Sequence, residues 1–176
     1  MRLETIAILF ATALSTLSTY AGEINSVAII TTHNKWRAEV GVTQKLSYSP
    51  ALATAAQAWV DKLARTNNCQ MRHSKPSGHY GENLYWASAV TWSDGRKELQ
   101  KVSSKQVANN WASEKAHYDY ASNQCTQGEM CGHYTQMVWR TTTKVGCGMA
   151  ICADSQEQIW ACQYKPAGNW VGKRPY

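Results

Sequence analysis

The stretch Cys131-Gly132-His133-Tyr134-Thr135-Gln136-Met137-Val138-Trp139 divides a chain of 176 residues into two parts of different texture. Before it, apolar residues recur with a helical period; after it, they gather in short, strand-like runs. Residues 134–140 read as a turn or short helix that passes into a strand. Residues 145–153 and 158–164 follow as two antiparallel strands, joined by the polar turn Asp154-Ser155-Gln156-Glu157.

Toward the N-terminus the pattern turns helical. Asn25 or Ser26 caps a helix running to about Val40, with Gly41 as its stop. Ser49-Pro50 starts a second helix, Pro occupying the first helical position. Leu52, Ala56, Trp59, Val60 and Leu63 then mark one apolar face, which ends near Asn67. Ser104 opens a third helix, with Val107, Trp111 and Glu114 on one stripe. Between the last two helices lie Pro76, Gly78, Gly81 and Gly95, with a short strand over 84–87. Helices first and a hairpin last, without βαβ alternation, describe an α+β fold: a central antiparallel sheet covered by helices.

Composition narrows the class. Hydrophobic residues make up 44% and charged residues 17%, which excludes an intrinsically disordered chain. Residues 1–21 hold Arg2, a short apolar run and the small residues Thr19 and Ala21 at the expected cleavage positions. They read as a secretory signal, leaving 22–176 as one extracellular domain. The formal charge of +6 favours acidic partners such as a membrane or cell-wall surface. The bases are scattered rather than gathered into an arm, which argues against nucleic acid. All six cysteines (Cys69, Cys125, Cys131, Cys147, Cys152 and Cys162) fall in the exported part and imply three disulfides, for which sequence alone allows fifteen pairings.

Two histidines and two carboxylates stand out by their settings. Glu114 leaves a core-directed helical stripe, and Glu82 sits between Gly81 and Asn83 at the entry to a strand. His73 follows Cys69 by four positions and His133 follows Cys131 by two, so cross-links anchor both. Two imidazoles and two carboxylates suit a divalent ion such as zinc, as direct ligands or as ligands with supporting carboxylates.

Gly132-His133-Tyr134-Thr135-Gln136-Met137-Val138-Trp139, Gly81-Glu82-Asn83-Leu84 and Trp111-x-x-Glu114 resemble the signatures of the CAP superfamily (SCP/TAPS domains). With His33-Asn34, Arg37-x-Glu39-Val40-Gly41 and the cysteine pattern, the chain is similar to the first class of plant pathogenesis-related proteins. The resemblance implies a three-layer α-β-α sandwich and the pairings Cys69–Cys152, Cys125–Cys131 and Cys147–Cys162. It also implies that His73, Glu82, Glu114 and His133 line one cavity able to hold zinc or another divalent ion. Asn34 and Arg37, a turn apart, are expected to hydrogen-bond within the domain.

Three functions follow from the residues and the resemblance. Similar proteins bind sterols or other lipids in defence or host–microbe contact, and Leu84, Tyr85, Trp86, Val90 and Trp92 form the candidate apolar surface. A metal-dependent hydrolase is the alternative, with Glu82 or Glu114 as base; with every cysteine expected to be oxidised, thiol catalysis is not expected. Residues 166–176 resemble a tail that plant relatives release as a signalling peptide, although Gln163 stands where those relatives carry Asn. The plain alternative is a tail docked through Trp170 and Tyr176. A monomeric binding protein, rather than an enzyme, is the favoured expectation.

Overall fold

The computed structural model describes residues 23–66, 68–75 and 80–176; the expected export signal lies outside them. Helix α1 spans Ser26–Glu39, its first turn capped by the Asn25 side chain, which accepts from the Ala28 amide. Strand β1 is Ser47–Tyr48 and helix α2 is Pro50–Thr66. Strands β2 (Gly81–Ala87), β3 (Val90–Thr91) and β4 (Lys97–Glu98) precede helix α3, Ser104–Ser113. Ser103 and Gln106 close a reciprocal capping box at the start of α3. A 3-10 turn, Glu114–His117, leads into β5 (Tyr118–Asp119) and β6 (Gln124–Cys125). Helix α4 (Gly132–Met137) is followed by β7 (Lys144–Ile151) and β8 (Gln158–Lys165).

The main sheet has the order β1-β7-β8-β2. Strands β7, β8 and β2 are antiparallel, as the hairpin pattern predicts, but β1 joins β7 in parallel, so the sheet is mixed. Two residues of strand between two helices carry no periodicity, which is why the sequence concealed this edge. A second departure concerns residues 134–140. Helix α4 ends at Met137 and residues 138–143 form no strand; the carbonyls of Met137, Trp139, Arg140 and Thr142 turn toward the Arg37 guanidinium. Four carbonyls aimed at one guanidinium converge on a point, whereas a strand sends successive carbonyls to opposite sides.

Two cores flank the sheet. One combines Ile29, Val107, Trp111, Tyr134 and Met137 with Val145, Cys147, Trp160, Cys162 and Tyr164. The other packs Ala56, Val60 and Leu63 of α2 on Leu84, Ile159 and Ala161. Helices on both faces make the three layers. The disulfides are Cys69–Cys152, Cys125–Cys131 and Cys147–Cys162. The last joins directly paired residues of β7 and β8 inside the first core.

Residues 166–176 fold back on the domain. Arg140 donates its amide to the Pro175 carbonyl, and the Gly168 amide donates to Gln136 Oε1. Tyr176 stacks on Tyr120 with ring centroids 4.6 Å apart. Trp170, expected as an anchor, is instead exposed and bonds only to the nearby Ala167 carbonyl.

Helix α2 lies on β7 through two glycines. A Cβ at Gly146 would stand 2.2 Å from the Ala53 nitrogen, and one at Gly148 2.5 Å from the Gln57 backbone. Both obstacles are backbone and cannot rotate away. Gly148→Ala is therefore expected to destabilise by at least about 1–3 kcal/mol. Urea unfolding measures it, and an unchanged midpoint would contradict the contact.

Candidate functional site

Strand β2 is an edge strand, and its alternation sends neighbouring residues to opposite faces. Glu82 opposes Gln163, whose other neighbour is Gly146 beneath α2. Asn83 faces the other layer, where its Nδ2 donates to the His133 carbonyl at 3.1 Å and to the Tyr164 hydroxyl at 3.2 Å.

The first pair is His73 with Glu82. His73 Nδ1 lies 3.0 Å from Glu82 Oε1, and the carboxylate also accepts from the Ser74 amide, the Ser74 hydroxyl and Gln163 Nε2. Only 6% of the Glu82 side chain is exposed, against 63% of His73. The bond to Glu82 raises the His73 pKa above its ordinary value, against the effect of partial burial. Burial pushes Glu82 upward, but the bonds from His73, Ser74 and Gln163 outweigh it and hold the carboxyl below the usual range.

The second pair is His133 with Glu114. His133 Nδ1 lies 2.6 Å from Glu114 Oε1, while Glu114 Oε2 accepts the backbone amides of His133 and Tyr134. One carboxylate thus orients the imidazole and caps α4, whose first amides have no helical partner. Burial again works to raise the carboxyl; the bonds from His133 and Tyr134 prevail and lower it. Trp111 stacks beside His133 at 6.2 Å and ties α3 to β2 by donating Nε1–H to the Leu84 carbonyl.

The four residues named from sequence are thus brought together two by two. Among the described residues no group of three or more His, Cys, Asp or Glu could hold a metal ion. A carboxylate can only accept, so each Nδ1 carries the proton and Nε2 is the ring atom left to face a ligand. The carboxylates are spent on hydrogen bonds, which suits orienting a histidine rather than ligating an ion directly.

The apolar candidates separate. Leu84 is 4% exposed, within the α2 core, and Tyr85 packs against the opposite core. Trp86, Val90 and Trp92 reach the surface, at 39%, 40% and 47% exposed, and the Arg96 guanidinium sits 5.5 Å from the Trp92 ring.

One buried chain of bonds had no sequence signal. His33 is fully buried; its Nδ1 faces the Ile29 carbonyl at 2.7 Å and its Nε2 the Tyr164 hydroxyl at 2.9 Å. A carbonyl only accepts, so Nδ1 holds the proton and the tyrosine donates to Nε2. Through Asn83 the chain ends on the His133 backbone. Asn34, expected to hydrogen-bond within the domain, bonds both backbone groups of Leu46.

The cysteine-rich secretory protein family, CAP, matches residues 30–164. The chain belongs to this family. It is 41% identical over 140 residues to the pathogenesis-related protein PR-1 of Medicago truncatula, covering 80% of this chain and 72% of the relative. The solved structure of BmVAL-1 superposes with a TM-score of 0.66 at 25% identity, covering 95% of this chain and 86% of that one. NaASP2, solved with Zn2+, shares the fold with a TM-score of 0.62 at 23% identity, covering 90% and 88%. Such relatives and a disulfide-stapled fold accord with an exported CAP protein. Among the described residues no helix is long and apolar enough to cross a membrane.

Acid stability follows from these groups. Burial lowers His33 from 6.5 to about 4, so the unfolded chain binds the extra proton between those values and stability falls as pH drops. The spread corresponds to roughly 3 kcal/mol. Raised His73 works oppositely: its contribution is complete below its unfolded value and is lost as pH rises through the folded one. Glu82 and Glu114 contribute above the ordinary carboxylate value and lose that only as pH falls through their lowered ones. Urea titrations across 6.5 to about 4 should show a net loss of stability on acidification; a flat or rising profile would rule out a neutral buried His33.

Proposed function

We propose that this CAP protein is an exported defence protein that acts by binding, holding a divalent ion such as zinc through His73 and His133 and a sterol or other lipid on a separate face. The observation that carries the metal reading is the pair of imidazoles, each with Nδ1 bound to its own carboxylate and Nε2 left for an ion. The donor set suits zinc, which takes neutral imidazole nitrogen and is held more firmly when a carboxylate orients the ring. NaASP2, of the same fold, is solved with Zn2+. Glu82 and Glu114 would support the histidines, and the rest of the ion's shell would be water.

Binding is favoured over hydrolysis by the state of the carboxylates. A general base works best with a pKa near the working pH, and both glutamates are held below their ordinary value. Glu82, which already accepts four hydrogen bonds, would have to surrender one to take a proton.

Zinc titration of the purified protein should give saturable binding that His73→Ala with His133→Ala abolishes. Glu82→Gln should weaken it about ten-fold or more, the scale expected for a carboxylate that orients a ligand. Equal affinity in wild type and the double histidine variant would refute the metal site.

The lipid reading rests on Trp86, Val90 and Trp92, since Leu84 and Tyr85 are turned to the cores. Ergosterol or cholesterol binding should fall in Trp86→Ala and Trp92→Ala and survive His73→Ala. Binding unchanged in both tryptophan variants would exclude this surface.

A further inference from the structure

A cavity of about 760 Å3 lies between α2 and residues 72–75 and 80, on the layer opposite α1, α3 and α4. Its wall carries Trp59, Lys62, Arg72, Lys75, Tyr80 and Gln163. Three of these are cations, and among the described residues none of the three belongs to a salt bridge. Among the described residues no carboxylate lines the cavity; Glu82 lies behind its wall, bonded to His73, Ser74 and Gln163. Like charges converging on one concave surface raise its potential and attract an anion. The aromatic walls are held in place: Trp59 donates Nε1–H to the Arg72 carbonyl at 2.9 Å, with Lys62 Nζ 5.5 Å from its ring. The Cys69–Cys152 disulfide anchors the segment that carries Arg72 and Lys75.

A further observation points to a hydroxylated ligand. Gln163 spends Nε2 on Glu82 and leaves Oε1 buried with no hydrogen-bond partner, the sole such buried side-chain atom among the described residues. A buried acceptor without a donor is costly, and a ligand hydroxyl or an ordered water relieves it.

We infer that this cavity binds an acidic saccharide, a short uronate oligomer, through Lys62, Arg72 and Lys75 on its carboxylates and Trp59 against a sugar ring. Arg72 suits a carboxylate by its planar fork of donors. The indole offers a flat apolar face with its polar edge already tied down. A fatty acid fits less well, because Thr66, Ser74 and Gln163 interrupt the apolar wall that an acyl chain needs. Three cations are too few for the phosphate contacts typical of nucleic acid. His73, used by the proposed zinc site, also lines this cavity, so the test is run in chelator to read saccharide binding apart from the metal.

Calorimetric titration of the secreted protein with galacturonate oligomers, in EDTA, should give saturable binding. Lys62→Glu and Lys75→Glu should each weaken it by about ten-fold or more, the loss expected when an attractive charge becomes a repulsive one. Both lysines are exposed, so these variants should keep the wild-type melting temperature. Trp59→Ala should weaken binding while Lys97→Glu, on the distant β3–β4 hairpin, should not. Fully methyl-esterified oligomers, which keep the rings but lose the charge, should fail to bind. The proposal is overturned by no saturable binding, by esterified oligomers binding equally, or by Lys97→Glu weakening binding as much as the cavity variants. Saturable binding of palmitate with none of the uronate would likewise reassign the cavity to a lipid acid.

Discussion

The carboxylate of Glu114 holds the site together. It stands where α3 gives way to a 3-10 turn, and from there it reaches two amides and one imidazole of α4. A six-residue helix has little stability of its own, since nucleation costs more than so few bonds return. A buried anion at its N-terminus satisfies the unpaired amides and opposes the positive end of the helix dipole. The direction of α4, the place of His133 and the course of the following turn all descend from that contact.

The course of that turn is fixed from below by a second buried charge. Arg37 is 1% exposed, and its guanidinium donates to the carbonyls of Gln44, Met137, Trp139, Arg140 and Thr142. Among the described residues no carboxylate joins it. Burial lowers its pKa to about 10, so it remains charged at neutral pH. Removing a cation from water is costly unless its donors are filled, and here carbonyls fill them. Their convergence on one guanidinium bends the chain, and a stretch with strand-like composition ends as a turn.

The pleat of β2 gives its successive residues different surroundings. Glu82 and Asn83 are neighbours in sequence, yet one meets Gln163 on the α2 side and the other supports His133 from the opposite side. The same arrangement divides the apolar run that begins at Leu84 between two cores and the surface.

Much of this was legible in the chain itself. The cap at Asn25, the proline opening α2, and the apolar face of Leu52, Ala56, Val60 and Leu63 are local patterns, and local patterns survive into the fold. The two long hairpin strands were equally plain, because alternation and a polar turn are local as well. His73, Glu82, Glu114 and His133 could be nominated from their motifs and their closeness to cysteines. Contacts between distant segments decided the rest: the parallel edge of β1, the fate of residues 134–140, and the bonds that leave Glu82 and Glu114 as supports. The Arg72 and Lys75 side chains share a wall with Lys62 where the Cys69–Cys152 disulfide and the Trp59–Arg72 bond hold their segment against α2. Periodicity records which face of an element is apolar; which element that face meets, and which charge waits there, is settled only when the layers close.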